Sequence, residues 1–193
     1  MYSLLWENVS RHIKMSEAEK TRFLEDFQLK KLKKKHYLLQ EGAVNSNVLF
    51  VTEGILRSYA IDQNGFEHVL QFAPQGWWMG DMYSFTRQKL ARLFIDALEN
   101  SSVFMLSKAK LDQLYIDIPQ LERYFRILAE NSVIAYQKRL ISNLSLPAMQ
   151  RYEAFCNDYP SLIECLPQKQ IASYIGVTPE FLSKMLSDRS SRE

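Results

Sequence analysis

The spacing of apolar positions changes character along the chain, and each change marks a different kind of element. Between Ser3 and Phe27 apolar residues recur at helical intervals, which predicts two short helices, Ser3 to Lys14 and Ser16 to Phe27. Ser16 with Glu19 three positions later forms a capping box at the head of the second. From Tyr37 to Ser107 the texture shifts to short β-branched and aromatic runs. VLFVTEG, ILRSYAID, HVLQFAP, LFIDALE and SVFMLS are five strand candidates, broken at Glu53-Gly54, Asn64-Gly65 and Pro74-Gln75-Gly76. Asn64-Gly65, between Ser58-Tyr59-Ala60-Ile61 and His68-Val69-Leu70, is a hairpin signal. Many short strands at near-regular spacing imply a small antiparallel sandwich or jelly roll that closes over a pocket.

Helical spacing returns at Lys108 and runs unbroken from Pro119 to about Leu144. Leu121, Phe125 and Leu128 lie along one side, Ile127, Ile134 and Ile141 along another, with Arg123, Arg126, Lys138 and Arg139 between them. Two apolar faces need two covers. The chain's own β-domain is one and the same helix of a second copy is the other; a helix lying wholly over its own barrel is the alternative. Ser145-Leu146-Pro147 ends this helix and opens another through Arg151, Tyr152 and Phe155, which Asp158-Tyr159-Pro160 closes.

Gln168 to Leu186, QKQIASYIGVTPEFLSKML, reads as two short helices joined by a tight turn. Ile171, Ala172, Ile175, Val177, Leu182 and Met185 form one apolar seam. Ala172 is small where two steeply crossed helices meet, and Gly176 stands where the turn needs a left-handed backbone. Thr178 caps the second helix and Pro179 occupies its first turn, where a missing N–H costs nothing. This is a helix-turn-helix signature; a helical hairpin that binds nothing needs neither the alanine nor the glycine at those offsets. The second helix leaves Glu180, Phe181, Ser183, Lys184 and Ser187 off the seam, where a helix in a DNA major groove would meet base edges and phosphates.

Composition narrows the class. The chain of 193 residues is 47% hydrophobic and 24% charged, which fits one large globular domain or two smaller ones. Cys156 and Cys165 stand alone as a pair and the three histidines, His12, His36 and His68, are scattered, so neither a disulfide framework nor a metal or iron–sulfur site is expected. No cofactor and no catalytic constellation emerges: no clustered histidines of the kind by which a cupin holds its metal, and no nucleophile or paired carboxylates. The N-terminus lacks a signal-peptide pattern and no apolar run approaches membrane-spanning length, so a cytoplasmic protein without a membrane partner is expected. A net charge of +2 gives little support to a polyanionic partner. The five lysines of Lys30 to His36, KKLKKKH, read as an edge strand that blocks sheet-to-sheet pairing in preference to a nucleic-acid patch.

A sandwich, a long helix and a C-terminal helix-turn-helix in this order resemble the Crp/Fnr family of bacterial transcription regulators. The resemblance spans nearly the whole chain and is most specific in the segment from Leu146 to Leu186 and in EGAVNSNVLFVTEGILRSYAIDQNG; the first is similar to the branch of the family found in Bacteroidetes. It implies an α+β fold: a jelly-roll sensor domain of the cyclic-nucleotide-binding type over residues 1–118, a dimerisation helix over 119–145, and an all-α DNA-binding domain over 146–193. It also implies a homodimer that reads a two-fold DNA site, with RNA polymerase as a further partner and the small-molecule effector left open. On this reading the DNA-facing residues are Lys169, Thr178, Glu180, Phe181, Ser183, Lys184 and Ser187.

The match is uneven at the sites. Where cyclic-AMP-binding members read DNA with an arginine, a glutamate and a second arginine, this chain has Pro179, Glu180 and Lys184, so their operator does not transfer. Where they bind the nucleotide with Gly-Glu and, about ten residues on, Arg followed by Ser or Ala, this chain has Gly80-Asp81 and Ala91-Arg92-Leu93, with Arg92 one residue late and followed by a bulky leucine. Gly80, Asp81 and Arg92 are the candidate ligand-pocket residues, and control by cyclic AMP is not expected. Trp77, Trp78, Tyr83 and Phe85 beside them form either an apolar pocket lining or an aromatic core cluster. A module with a vestigial helix-turn-helix remains the competing reading: residues 146–193 carry five basic and six acidic side chains, and Ser187 to Glu193 are too few for a β-wing.

Overall fold

The computed structural model describes residues 2–190, which divide into two compact units, 2–60 with 71–131 and 61–70 with 132–190. The first unit opens with helices α1 (Ser3–Ser10) and α2 (Glu17–Glu25). The capping box is present, the Ser16 side chain accepting from the Glu19 N–H while the Glu19 carboxylate accepts from the Ser16 N–H at 2.7 Å. α1 stops short of Lys14: the His12 N–H takes a tighter bond to the Val9 carbonyl three residues back, closing the last turn, and the Ile13 side chain is buried.

Eight strands follow: β1 (Gln28–Leu32), β2 (Tyr37–Leu39), β3 (Asn47–Glu53), β4 (Leu56–Ile61), β5 (Glu67–Ala73), β6 (Trp78–Met79), β7 (Phe94–Ala97) and β8 (Ser101–Ser107). Helix α3 (Met82–Arg87) lies between β6 and β7. One sheet has the order β1-β8-β3-β6 and the other β2-β7-β4-β5, the nested pairing of a jelly roll. All five expected strands are present. β2 and β6, too short to leave a periodic signal, are additions; of the lysine-rich segment only Lys30 to Leu32 lies in β1 at a sheet edge, while residues 33–36 form the turn that leads to β2.

β3 reads as a continuous apolar run because both its faces are covered. Leu49 and Val51 join Leu56, Ile95 and Val103 between the sheets. Val48 and Phe50, one residue out of phase, join Phe104 and Leu106 beneath Leu5, Val9, Phe23, Leu111, Leu114, Leu121 and Tyr124. These last residues come from α1, α2, α4 (Lys108–Asp117) and the start of α5 (Gln120–Ser145). Gly54, at φ +82°, is required by a close approach: a Cβ there would lie 2.7 Å from the Asn100 carbonyl oxygen. Arg57 and Asp96 face each other across β4 and β7, both buried, with bonds of 2.8 and 2.9 Å from the guanidinium to the two carboxylate oxygens.

The second unit holds the C-terminal part of α5, α6 (Ala148–Asp158), α7 (Pro160–Ile163), α8 (Gln168–Ile175), α9 (Pro179–Ser190) and the hairpin tip 61–70. Its core is Phe155, Leu162, Leu166, Ile171, Ala172, Ile175 and Leu182. At the tip, Asp62 accepts from the Asn64 and Phe66 N–H groups and contacts His68 Nε2 at 2.9 Å; the His68 bond leads the effects that hold the Asp62 carboxyl below its ordinary range. The last residues, 191–193, on which the expected absence of a wing partly rests, lie outside the described residues. No helix among the described residues is long and apolar enough to cross a membrane.

Candidate nucleic-acid interface

The turn between α8 and α9 is built as its sequence predicts. Gly176 adopts φ 72°, and the N–H groups of Gly176 and Val177 bond to the carbonyls of Ser173 and Ala172, satisfying the last turn of α8. Thr178 then accepts from the Phe181 N–H through its side chain and from the Leu182 N–H through its carbonyl. The seam closes over Ile171, Ala172, Ile175 and Leu182, none more than 3% exposed, with Val177 and Met185 half-buried at its margin. Burying the three large side chains contributes roughly 1.5–3 kcal/mol each, so the angle between α8 and α9 is set by packing rather than by the turn alone.

With the seam fixed, the opposite side of α9 faces outward. Glu180, Ser183, Lys184 and Ser187 line one shallow groove with Gln168, Pro179 and Asp188. Lys169, Thr178 and Phe181 are exposed but outside the groove lining: Lys169 is in the first turn of α8, Thr178 serves as the cap, and Phe181 is 52% exposed. Gln168 and Asp188 were not among the sequence candidates. Asp188 continues the spacing Glu180, Lys184, Asp188, a signal the sequence held; Gln168 reaches the groove from the other helix, which no spacing on α9 could reveal. The groove holds one lysine and two carboxylates, so it offers hydrogen-bonding groups of both kinds and little net field.

The residues considered for a ligand pocket lie in the first unit. Asp81 is buried, its Oδ1 accepting from the Ser84 N–H at the head of α3 and its Oδ2 without a partner. The Asn45 side chain donates to the Asp81 carbonyl and approaches within 3.5 Å of where a Gly80 Cβ would sit. Arg92 is exposed, with its guanidinium carbon 5.4 Å from the Tyr83 ring centroid. Of the neighbouring aromatics, Phe85 is buried and Trp78 belongs to the helix-side core, donating from its indole N–H to the Tyr124 hydroxyl at 2.7 Å; Trp77 and Tyr83 are exposed. Among the described residues, no group of three or more His, Cys, Asp or Glu side chains could hold a metal ion.

Residues 29–117 match the family profile of the cyclic nucleotide-binding domain. The transcriptional activator protein FnrA of Stutzerimonas stutzeri is 23% identical over 173 residues, covering 81% of this chain and 68% of that protein. Two solved structures share the fold: the c-di-GMP-responsive global regulator CLP of Xanthomonas campestris, with a TM-score of 0.76 at 14% identity over 92% of this chain and 93% of that one, and a Crp/Fnr-family transcriptional regulator of Eubacterium rectale, with a TM-score of 0.72 at 15% identity over 99% and 88%. The chain is similar to these transcription regulators and shares the fold of a Crp/Fnr-family member. In this chain the helix-turn-helix is formed by α8 and α9. The chain spans about two thirds of the length of the curated relatives it matches, 65–68%.

Proposed function

We propose that this chain acts in the cytoplasm as a homodimer that reads a two-fold DNA site, with α9 of each copy in the major groove. The observation that carries the reading is the outward row Glu180, Ser183, Lys184 and Ser187 on a helix whose other side is locked into the seam. Lys184 donates to a guanine edge or a phosphate, and Glu180 accepts from a cytosine amino group, the contact that makes a carboxylate tolerable beside phosphates. Lys169 and the α8 terminus meet the backbone, while Thr178 and Phe181 hold and flank the entering end. RNA polymerase is the partner through which such a regulator would act on transcription.

Glu180→Ala is expected to remove about 1–3 kcal/mol of preference at one position per half-site while leaving non-specific affinity equal or slightly higher. Lys169→Ala is expected to weaken all sequences alike and to lower the salt slope by about one. Selection of bound duplexes from a random pool checks both; an unchanged preference at every position in Glu180→Ala removes α9 from the groove. The two carboxylates against one lysine in that groove favour a second reading, a protein-docking module with a vestigial helix-turn-helix. Duplex binding measured against salt separates the two, because a docking module has no slope.

Cyclic AMP is not the effector in this proposal. Arg92 is exposed against Tyr83, and one oxygen of the Asp81 carboxylate caps α3. Calorimetric titration of the full chain with cyclic AMP is expected to give no binding heat. A micromolar or tighter Kd, abolished by Arg92→Ala, would overturn this and identify the phosphate contact.

A further inference from the structure

Among the described residues, Arg139 is a cation with carbonyl partners and no carboxylate. It lies on α5 and donates to three main-chain carbonyls: Nη1 to Leu70 at 2.6 Å, and Nη2 to Val69 and to Tyr174, each at 2.6 Å. The guanidinium carbon also sits 3.9 Å above the Tyr174 ring centroid, and its buried Nε has no partner. Burial holds its proton affinity below the usual guanidinium range. Half-burying a cation against carbonyl partners costs more than pairing it with a carboxylate, so the arrangement calls for an explanation beyond stability.

The three carbonyls belong to two different elements. Val69 and Leu70 lie in the hairpin tip, and Tyr174 is in the last turn of α8, where carbonyls lack intrahelical partners and the helix dipole is negative. Beside them Ser173, also on α8, makes a second tie: its Oγ accepts from the Val69 N–H at 2.9 Å and donates to the Glu67 carbonyl at 2.6 Å. Arg139 and Ser173 thus fasten the hairpin tip, α5 and α8 at one point inside the second unit.

The same turns of α5 carry Val133, Ile134, Leu140, Ile141 and Leu144, each at least 50% exposed, on the side away from Arg139. We propose that Arg139 is a positioning residue for DNA recognition: it fixes α8, and α9 through the Gly176 turn, relative to the helix by which two copies pair, and so sets the half-site spacing that the dimer accepts. This rests on α9 entering the major groove and α5 forming the dimer. A monomer's reading head needs only its own seam, which Arg139 does not touch. A dimer needs its two heads at a fixed separation, because half-sites one helical turn apart admit only one geometry.

The test uses the full chain and a two-fold duplex selected by the wild-type protein, together with versions in which the half-sites are moved apart by one or two base pairs. Wild type is expected to discriminate among them. Arg139→Gln is expected to lose roughly ten- to hundredfold on the selected spacing, the worth of its charge-assisted bonds, while non-specific affinity and salt slope stay put, so that the spacing preference flattens. Arg139→Lys, one donor group without the planar fork, should restore only part of it. Ser173→Ala, which leaves Arg139 in place, should flatten the preference in the same direction by less; it carries the test if Arg139→Gln fails to fold, as read by circular dichroism. A variant that loses selected and non-specific duplexes equally, or keeps full spacing preference, overturns the proposal. Tighter binding in Arg139→Gln overturns it in favour of an inhibitory clasp. If wild type itself shows no site preference, the groove assignment of α9 fails and the proposal falls with it, a result distinct from a flattened variant.

Discussion

Asp96→Ala is expected to destabilise the first unit by about 3–5 kcal/mol, the cost of leaving a buried guanidinium without its counter-charge. Arg57 and Asp96 are 6% and 5% exposed, joined by two parallel bonds, and the guanidinium lies 4.0 Å from the Tyr59 ring centroid. With the carboxylate gone, both of these bonds are lost. The pair as a whole adds much less than its rupture costs, because desolvating both charges offsets most of their attraction. Arg57→Met with Asp96→Leu is therefore expected to lie far closer to wild type than the single variant. Urea unfolding followed in the β-sheet region of the circular dichroism spectrum checks both, since a shift in midpoint at constant slope reads stability alone. A single variant within about 1 kcal/mol of wild type would mean that water reaches the pair in solution.

The second large effect concerns α5. Leu140→Asp with Leu144→Asp is expected to give a monomer at micromolar concentration and to lower affinity for a two-fold duplex by about 10²–10⁴-fold, the gain that linking two reading heads provides. Both side chains are exposed in the single chain, at 59% and 80%, so the substitutions remove nothing from the fold of one copy. Two aspartates in a stripe meant to face its own image would instead meet the same charges across the axis. Light scattering gives the mass and duplex titration the affinity. A dimer that persists, or a monomer that binds the two-fold duplex undiminished, would place the interface elsewhere.

What the sequence revealed and what it hid divide on physical grounds. The α8–α9 turn was legible because Ala172, Gly176, Thr178 and Pro179 each answer a local backbone demand at a fixed offset. The capping box at Ser16 and the turn at Asn64-Gly65 were legible for the same reason. β3 could be named a strand, but its burial on both faces shows only when Phe50 is set against Phe104 and Leu49 against Met105, pairings more than fifty residues apart. The row on α9 came from helical period, which also held Asp188. Arg139 looked like a charged residue between apolar faces, and nothing in the chain distinguishes it from Lys138. Its partners are carbonyl oxygens, which every residue has, so only the folded backbone identifies them. By sequence Trp78 fits pocket lining or core equally; the Tyr124 hydroxyl, which accepts from its indole and donates to the Asn8 side chain at 2.6 Å, places it in the core.

That last bond also gives the molecule an optical handle. Indole emission shifts with the polarity and hydrogen bonding around the ring, and Trp78 is held edge-on to Phe50 and Phe125 with its N–H on a residue of α5. The chain's other tryptophans are Trp6, which lies under the Lys20 ammonium, and Trp77, 42% exposed. With those two changed to phenylalanine, the remaining fluorophore touches β3 on one side and the opening turns of α5 on the other. Any effector that displaces that helix would then register as a colour change in unlabelled protein, before its chemical identity is known.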